Sequence, residues 1–352
     1  MTEKVRNIKL DLLELLNQEP PIIPKNATVL DNFVKAYSII NRPQYKTIFC
    51  SISGGSDSDV MMDIIYKVDV NKKVTYVWFD TGLEYEATKR HIDYLEKKYD
   101  VKIMRERAIK PIPLTCKEYG QPFLSKIVST YIAELQNVGF QWEDEDFDTL
   151  CEKYKNCMQS LSWWTNRYMP ANGDYGSFTI GRYAYLKEFM IQNPPTFKIS
   201  SECCKYAKKY VSNMLIDKYN VDLMIVGMRK SEGGARALAF ENCFSEELHG
   251  AAQYRPLWWY NDKDKKDYED YCGIVHSDCY KKYGFPRTGC CCCPYGWVHN
   301  KLLNELEQTK KYEQKLYKAV NNVFKDSYEY TRQYLQFRKE MKDKENGRKR
   351  LF

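Results

Sequence analysis

A chain that runs Thr47-Ile48-Phe49-Cys50-Ser51-Ile52, turns at Ser53-Gly54-Gly55-Ser56 and continues Asp57-Ser58-Asp59-Val60-Met61-Met62 has few folds open to it. The first run is apolar and β-prone, the glycines break it, and the residues beyond take helical spacing. A strand that enters a helix through a Gly-rich turn leaves backbone N–H groups aimed at one spot, where the helix dipole adds partial positive charge. Phosphate is the natural occupant of such a spot. Gly54 and Gly55 let the backbone approach an anion with no Cβ in the way. Ser53, Ser56 and Ser58 add hydroxyl donors, and Asp57 or Asp59 is placed to hold a metal ion or cap the helix. An ordinary strand-to-helix turn capped by Ser or Asp is the plainer alternative.

The surrounding pattern extends this unit into a sheet. Strands are predicted near Thr47–Ser53, Val74–Asp80 and Lys102–Glu106, with helices near Asp59–Val68 and Tyr85–Tyr99 between them. Continuous apolar strands separated by helices imply a parallel sheet covered on both faces. Ligands of such sheets sit at the carboxyl ends of the strands, where the Gly turn and Asp80-Thr81-Gly82 both fall. Asp80 then meets the nucleoside or the attacking group, or caps the next helix. The rhythm lapses over about 108–200, a Pro-punctuated and helical-looking insertion with predicted helices near Leu124–Gly139 and Phe147–Trp164. It resumes with a helix from Ser201-Glu202-Cys203-Cys204 to about Lys218 and a strand at Asp222–Gly227. Gly227-Met228-Arg229 through Arg236 follows that strand, and two arginines seven apart in a Gly-rich loop suit a clamp on phosphate or sulfate oxygens. Residues 1–44 read as one or two helices, the second from about Asp31 to Asn41. Residues 301–352 read as a basic helical segment with predicted helices near His299–Phe324 and Ser327–Lys344. That segment carries fourteen Lys or Arg against eight Asp or Glu, which suits a nucleic-acid backbone or a solvated helix face.

Ser53-Gly54-Gly55-Ser56-Asp57-Ser58 fits the SGGxDS signature and so resembles the PP-loop (N-type) ATP pyrophosphatases; the Walker spacing GxxxxGK[ST] is missing. The resemblance implies a Rossmann-like, adenine nucleotide alpha hydrolase-like α/β domain over 45–300. In it the turn holds the pyrophosphate end of ATP while the α-phosphate is attacked, with Mg²⁺ on the leaving oxygens. Asp80-Thr81-Gly82-Leu83-Glu84 resembles the DTG(x)E segment of the phosphoadenosine phosphosulfate (PAPS) reductase branch. Gly227 to Arg236 resembles its GxRxxES…R segment, with Glu232 displaced in spacing, and Tyr254-Arg255-Pro256-Leu257-Trp258-Trp259 resembles its PL-x-W strand. The resemblance thus implies ATP contacts from Ser53, Gly54, Gly55, Ser56, Asp57, Ser58, Asp80 and Gly227, and catalytic roles for Asp57, Arg229 and Arg236.

The chain carries 13 Cys with no apolar run long enough to span a bilayer, so a reducing cytoplasm is expected, with metal or redox chemistry before disulfides. Its opening Met1-Thr2-Glu3-Lys4-Val5-Arg6 is charged rather than leader-like. Cys290 and Cys293 form a CxxC whose thiolates suit one metal centre. With Cys203-Cys204 they resemble the pattern by which adenylyl-sulfate reductases hold a four-iron four-sulfur cluster, zinc being the competing metal. Cys272, Cys279, Cys291 and Cys292 leave the ligand set open.

The resemblance alone points to sulfonucleotide reduction, but those reductases carry SGGxDS only loosely and attack sulfur with a cysteine near the C-terminus, whereas no Cys follows Cys293 here. The intact ATP form resembles instead the DNA phosphorothioation ATPases and cluster-bearing tRNA thiolases. Three functions are therefore expected to compete. The first is ATP-dependent sulfur insertion into DNA or RNA, supplied by a donor such as a cysteine desulfurase. The second is PAPS or adenylyl-sulfate reduction, and the third a non-catalytic nucleotide- and cluster-binding module.

Overall fold

The computed structural model describes residues 12–168, 175–176, 178–233, 239–299 and 301–349. Two compact units are formed, Met1–Ile109 with Ala207–Gly289, and Lys110–Tyr206 with Cys290–Phe352.

The first unit runs α1 (Ala27–Ile40), β1 (Ile48–Ile52), α2 (Ser56–Val68), β2 (Val74–Asp80), α3 (Glu86–Tyr99), β3 (Ile103–Arg107), α4 (Tyr210–Tyr219), β4 (Leu223–Val226), β5 (Phe244–Leu248), β6 (Ala251–Tyr254), α5 (Asp262–Cys272) and α6 (Asp278–Lys281). The strands lie in one Rossmann-like sheet of order β3-β2-β1-β4-β6-β5. All neighbours are parallel except the β5–β6 edge pair. Successive β1 residues point to opposite faces, so the apolar run is buried twice. Ile48, Cys50 and Ile52 pack with Phe33, Ile64 and Leu95 on one side. Phe49 packs with Val77, Val211, Leu215 and Met224 on the other. Four of the strands therefore lie where the sequence puts them. The β5 strand is an addition to that reading: Phe244-Ser245-Glu246-Glu247-Leu248 is too polar to register as a buried strand, and an edge strand pairs on one side only. Its partner β6 follows after a two-residue turn, His249-Gly250, in which both φ angles are positive.

In the order of the sheet, the chain steps from β1 to β2 and β3 on one side, then returns to β4 on the other. A crevice at the carboxyl ends of β1 and β4 is thereby opened, the usual ligand position in open α/β sheets.

The second unit is helical. Its helices include Ile112–Tyr119, Lys126–Asn137, Phe147–Lys153, Met158–Trp164, Leu186–Gln192, Glu202–Cys204, Lys301–Tyr312, Gln314–Val323 and Lys325–Lys349. The single helix expected over Phe147–Trp164 is in fact two, because Asn156 sits at φ 64° and no right-handed helix continues through such a residue. The two expected C-terminal helices are three. An aromatic core of Phe140, Trp163, Trp164, Phe189, Tyr330 and Tyr334 holds the unit together. Among the described residues, no helix is long and apolar enough to cross a membrane.

Candidate nucleotide loop and thiol cluster

The glycine turn joins β1 to α2 as the pattern requires. Gly54 has φ +66°, and a Cβ there would stand 2.9 Å from Thr88 Cγ2, so both backbone shape and space select glycine. Gly55 is the N-cap of α2 without a side-chain cap, and Asp57 and Asp59 lie in the helix's first turn. Neither aspartate caps the helix.

The N–H groups of the turn are not left open, which corrects the simplest expectation. Ser53 N–H donates to Ser58 Oγ at 2.9 Å, Gly55 N–H to Ser53 Oγ at 3.3 Å, and Ser56 N–H to Tyr280 Oη at 2.9 Å. Half-buried backbone donors take whatever acceptor is near, and hydroxyl oxygens stand here where an anion's oxygens would. Thr288 Oγ1 lies 3.3 Å from the same Tyr280 hydroxyl.

Asp57 is the electrostatic hub. Arg229 Nε reaches its Oδ1 at 3.1 Å and Lys265 Nζ reaches the same oxygen at 2.8 Å. Lys265 also donates to Ser56 Oγ at 2.6 Å. Arg229 is anchored further by Asp262 Oδ1 at 2.7 Å and Ser231 Oγ at 3.1 Å. Burial opposes the charge on Arg229, but Asp262 and Asp57 outweigh it and hold the guanidinium above its ordinary pKa. Gly227, at the end of β4, lies in ordinary contact with the Asp57 backbone, 3.6 Å from where its own Cβ would be.

Behind this loop the fully buried Asp59 binds two imidazoles, His91 Nε2 at 2.8 Å and His276 Nδ1 at 2.7 Å. His276 Nε2 meets Glu269 at 3.0 Å. Burial works against a charged His276, yet its bonds to Asp59 and Glu269 win and lift it to about 9. At the end of β2, Asp80 accepts from Gly82 N–H at 2.9 Å, which closes a turn; Tyr85 is the N-cap of α3. Buried Glu84, held by Thr81 Oγ1 at 2.6 Å, is pushed up to about 7 by desolvation, against the pull of Lys208. Glu232 pairs with Arg287 at 3.6 Å. Arg236 lies outside the described residues.

In the second unit the four expected thiols are neighbours. Cys203 is within electrostatic range of Cys204 and Cys293, and Cys293 within range of Cys204 and Cys290. Cys116 is within the same range of Cys203. The buried Tyr295 hydroxyl lies among Cys203, Cys204 and Cys293 with no hydrogen-bond partner of ordinary geometry. Ser129, which interacts with this hydroxyl, also exchanges hydrogen bonds with the Phe123 backbone. The extra cysteines are engaged elsewhere. Cys292 Sγ meets Thr309 at 3.3 Å and Cys291 at 3.6 Å, Cys272 Sγ meets Lys67 Nζ at 3.3 Å, and Cys279 Sγ meets Thr88 at 3.7 Å.

Residues 47–122 match the phosphoadenosine phosphosulfate reductase domain family. That segment holds the glycine turn, Asp80-Thr81-Gly82 and Cys116. An uncharacterized protein of Methanocaldococcus jannaschii is 33% identical over 109 residues, 29% of this chain and 22% of the relative, so the chain spans about a fifth of that protein. Among solved structures, the PAPS reductase of Candida auris in a phosphate complex is similar at 13% identity and a TM-score of 0.39, covering 73% of this chain and 86% of that one. The U34-tRNA thiolase NcsA of Methanococcus maripaludis with its [4Fe-4S] cluster is similar at 13% identity and TM-score 0.37, covering 90% and 81%. The FMN adenylyltransferase of Candida glabrata is similar at 12% identity and TM-score 0.38, covering 82% and 69%.

The residues differ in how well they suit the two metals the resemblance implies. Around the PAPS reductase-like loop, Asp57 is paired with Arg229 and Lys265, and both carboxylate oxygens of Asp59 are taken by hydrogen bonds to His91 and His276, so the loop's carboxylates offer Mg²⁺ no ready place. Among the described residues, no group of three or more His, Cys, Asp or Glu side chains is disposed to hold a metal ion. The thiols are of the soft kind that iron–sulfur and zinc centres require, but as they stand they do not form such a site.

Lys265, Tyr280 and Thr288 are given no role by the sequence pattern, and neither are His91 and His276, the partners of Asp59. Lys265 stands in a run of charges, Asp262-Lys263-Asp264-Lys265-Lys266-Asp267, where helical spacing alone does not say which lysine turns inward. Its neighbour Lys263 stays exposed and pairs with Asp267. A cavity of about 970 Å³ lined by Tyr66, Tyr76, Tyr99 and Arg105 lies at the amino ends of β2 and β3, the end away from the glycine turn.

Proposed function

We propose that the chain is an ATP-dependent sulfur-transfer enzyme that adenylylates an oxygen of an acceptor, a nucleic acid in our reading, and lets sulfur displace AMP. The observation that carries this is the intact SGGSDS turn at the sheet's switch point with two cations, Arg229 and Lys265, converging on its Asp57. Backbone N–H groups, hydroxyls and two cations in one place suit a pyrophosphate leaving group.

In the first step the acceptor oxygen bonds to the α-phosphorus as the bond to pyrophosphate breaks. In the second, hydrosulfide or a protein persulfide supplies sulfur at the activated carbon and AMP leaves with the oxygen. From hydrosulfide no net oxidation or reduction occurs. From a persulfide, a thiol must accept the donor's sulfenyl half as a disulfide. Ser53, Gly54, Gly55, Ser56 and Ser58 would cradle the phosphates, with Gly227 and Asp80 at the neighbouring strand ends. Arg229 would stabilise the charge growing on the transferred phosphoryl group, as would Arg236 by its spacing. Asp57 is given the task of holding Arg229 and Lys265 in position until phosphate arrives. No step is assigned to Mg²⁺, which would come with the nucleotide. By the resemblance alone, Cys203, Cys204, Cys290 and Cys293 would hold a four-iron four-sulfur cluster, or zinc, and no step is assigned to it.

A second reading, reduction of a sulfonucleotide to sulfite, is favoured by the family match over 47–122. Anaerobically purified protein, assayed for ATP–pyrophosphate exchange with tRNA and with DNA, separates the readings. Exchange and AMP release support sulfur transfer. Sulfite formed from PAPS with a thiol donor supports reduction instead. Tight ATP binding with no turnover on either acceptor would leave only a regulatory module.

A further inference from the structure

In the helical unit, the chain beyond Pro194-Pro195 crosses the end of the Ile112–Tyr119 helix at close range. Gly120 makes the crossing possible: its φ is +113°, and a Cβ there would stand 2.4 Å from Lys198 O. The two segments pair like a sheet for one step, Gln121 N–H donating to Lys198 O at 2.9 Å and Ser200 N–H to Gln121 O at 3.0 Å. Gln136 fixes the same segment with its amide, donating from Nε2 to Phe197 O at 2.8 Å and accepting the Ile199 N–H at 2.9 Å. Two cavities, of about 500 and 540 Å³, meet at this crossing and share Phe197 and Lys198 in their walls.

The first cavity is lined by four rings, Tyr119, Phe140, Trp142 and Phe197. Tyr119 is backed by Tyr206, the rings 5.2 Å apart and 17° from parallel and the hydroxyls 2.9 Å apart. Trp142, at φ 60°, a conformation that bulky residues seldom take, stands edge-on to Phe140 at 5.6 Å. Asn137 and Gln141 set amides beside the rings. The charges of the two walls do not cancel. Glu118 is paired with Lys110, Glu202 with Lys205, and Asp326 accepts from Gln121 Nε2. Lys117, in the second cavity, and Lys198, at the partition, are exposed, and among the described residues neither ammonium has a hydrogen-bond or ion-pair partner.

From this arrangement we infer that the helical unit carries a single-stranded nucleic-acid site, with one base among the rings of the first cavity and the strand's phosphates over Lys198 and Lys117. The inference rests on the nucleic-acid acceptor proposed above and gives it a place on the chain. Aromatic rings stack any base, amides bond its edge, and uncommitted lysines pair with the phosphates on either side of it. A base reaches such a cavity only out of its stack, so the strand is single or locally unpaired. Two plain surface hollows would need neither a rigid ring pair nor a pair of cations left without counter-ions at the wall between them.

The test is fluorescence anisotropy with the full chain and no ATP, using short labelled oligothymidylate and oligouridylate and an abasic strand of the same length and charge. One stacked base predicts that the abasic strand binds between about 5- and 150-fold more weakly. Lys198→Met and Lys117→Met should each lower the slope of log affinity on log salt by about 0.7, about fivefold in affinity at 0.1 M salt. Lys97→Met, an exposed lysine of α3, should match wild type. Equal affinity for abasic and complete strands overturns the inference, and so do lysine variants that behave like Lys97→Met. If a variant fails to fold by circular dichroism, wild type is instead crosslinked by light to a strand carrying 4-thiouridine and the adducts are mapped by peptide mass spectrometry. Adducts on the peptides of Tyr119, Phe140 or Trp142 support the inference, and adducts confined to other peptides overturn it. A chain that passes these tests yet never exchanges pyrophosphate with ATP sinks the sulfur-transfer reading alone. A chain that exchanges pyrophosphate but binds the abasic strand as well as the complete one sinks this inference alone.

Discussion

Replacing Tyr280 by Phe removes one atom from the mouth of the glycine turn, and its consequence is calculable. The Tyr280 hydroxyl accepts the Ser56 N–H at 2.9 Å and has Thr288 Oγ1 at 3.3 Å. A nucleotide that uses the first N–H of α2 must displace that oxygen. A neutral hydrogen bond is worth about 1 kcal/mol net, so removing the competitor lowers the cost of phosphate entry by about that amount. At 1.4 kcal/mol per decade, ATP or pyrophosphate is expected to bind about fivefold more tightly. The phenyl ring keeps its packing against His276, whose ring centroid is 5.5 Å away, so the loop is not otherwise disturbed. The unliganded variant should be less stable by roughly the same 1 kcal/mol, since Ser56 loses its partner. Isothermal titration with a non-hydrolysable ATP analogue, alongside a thermal melt of the free chain, reads both quantities. An unchanged or weaker affinity would refute the competition, because it would mean that the hydroxyl contacts the ligand or that the ligand never reaches the Ser56 N–H.

Three further outcomes follow from the same geometry. Lys265→Met takes away one of the two cations on Asp57, and a charged hydrogen bond of about 1.5–3 kcal/mol predicts a 10- to 150-fold loss in triphosphate affinity; adenosine, which has no phosphate, should bind as before in the same titration. His276 is protonated between Asp59 and Glu269 with a pKa of about 9, above the unfolded value of about 6.5. Its stabilising contribution is therefore complete below about pH 6.5 and lost as pH rises through 9, a fall on the order of 2 kcal/mol. Urea unfolding from pH 6 to 9.5 should show that slope in wild type, and His276→Gln should flatten it; equal slopes would dismiss the charged imidazole. Gly54→Ala forces a left-handed alanine and a 2.9 Å approach to Thr88 Cγ2, which should cost about 1–2 kcal/mol and lower Tm by several degrees in calorimetry.

Local pattern reaches as far as contacts that are set by sequence neighbours. The β1 run, the glycine turn and the α2 helix are consecutive in the chain between Ile48 and Val68, and each obeys its own propensity, so the loop was legible before any tertiary contact was considered. The CxxC and the adjacent cysteines were legible for the same reason. What local pattern cannot contain is the occupant of each donor. Tyr280 reaches Ser56 across 224 residues, Lys265 reaches the same serine across 209, and His276 reaches Asp59 across 217. All three come from the 262–281 stretch, whose residues read as ordinary surface charge and aromatic filler until α5 and α6 are placed. That stretch is why the loop is closed by hydroxyls and lysine rather than open. A phosphate loop without a ligand must satisfy its own N–H groups and carboxylates, and the groups that do so define what a ligand has to displace. The affinity of this site for a triphosphate is thus set by a difference between two sets of bonds, one visible in the motif and the other supplied by a segment about two hundred residues away.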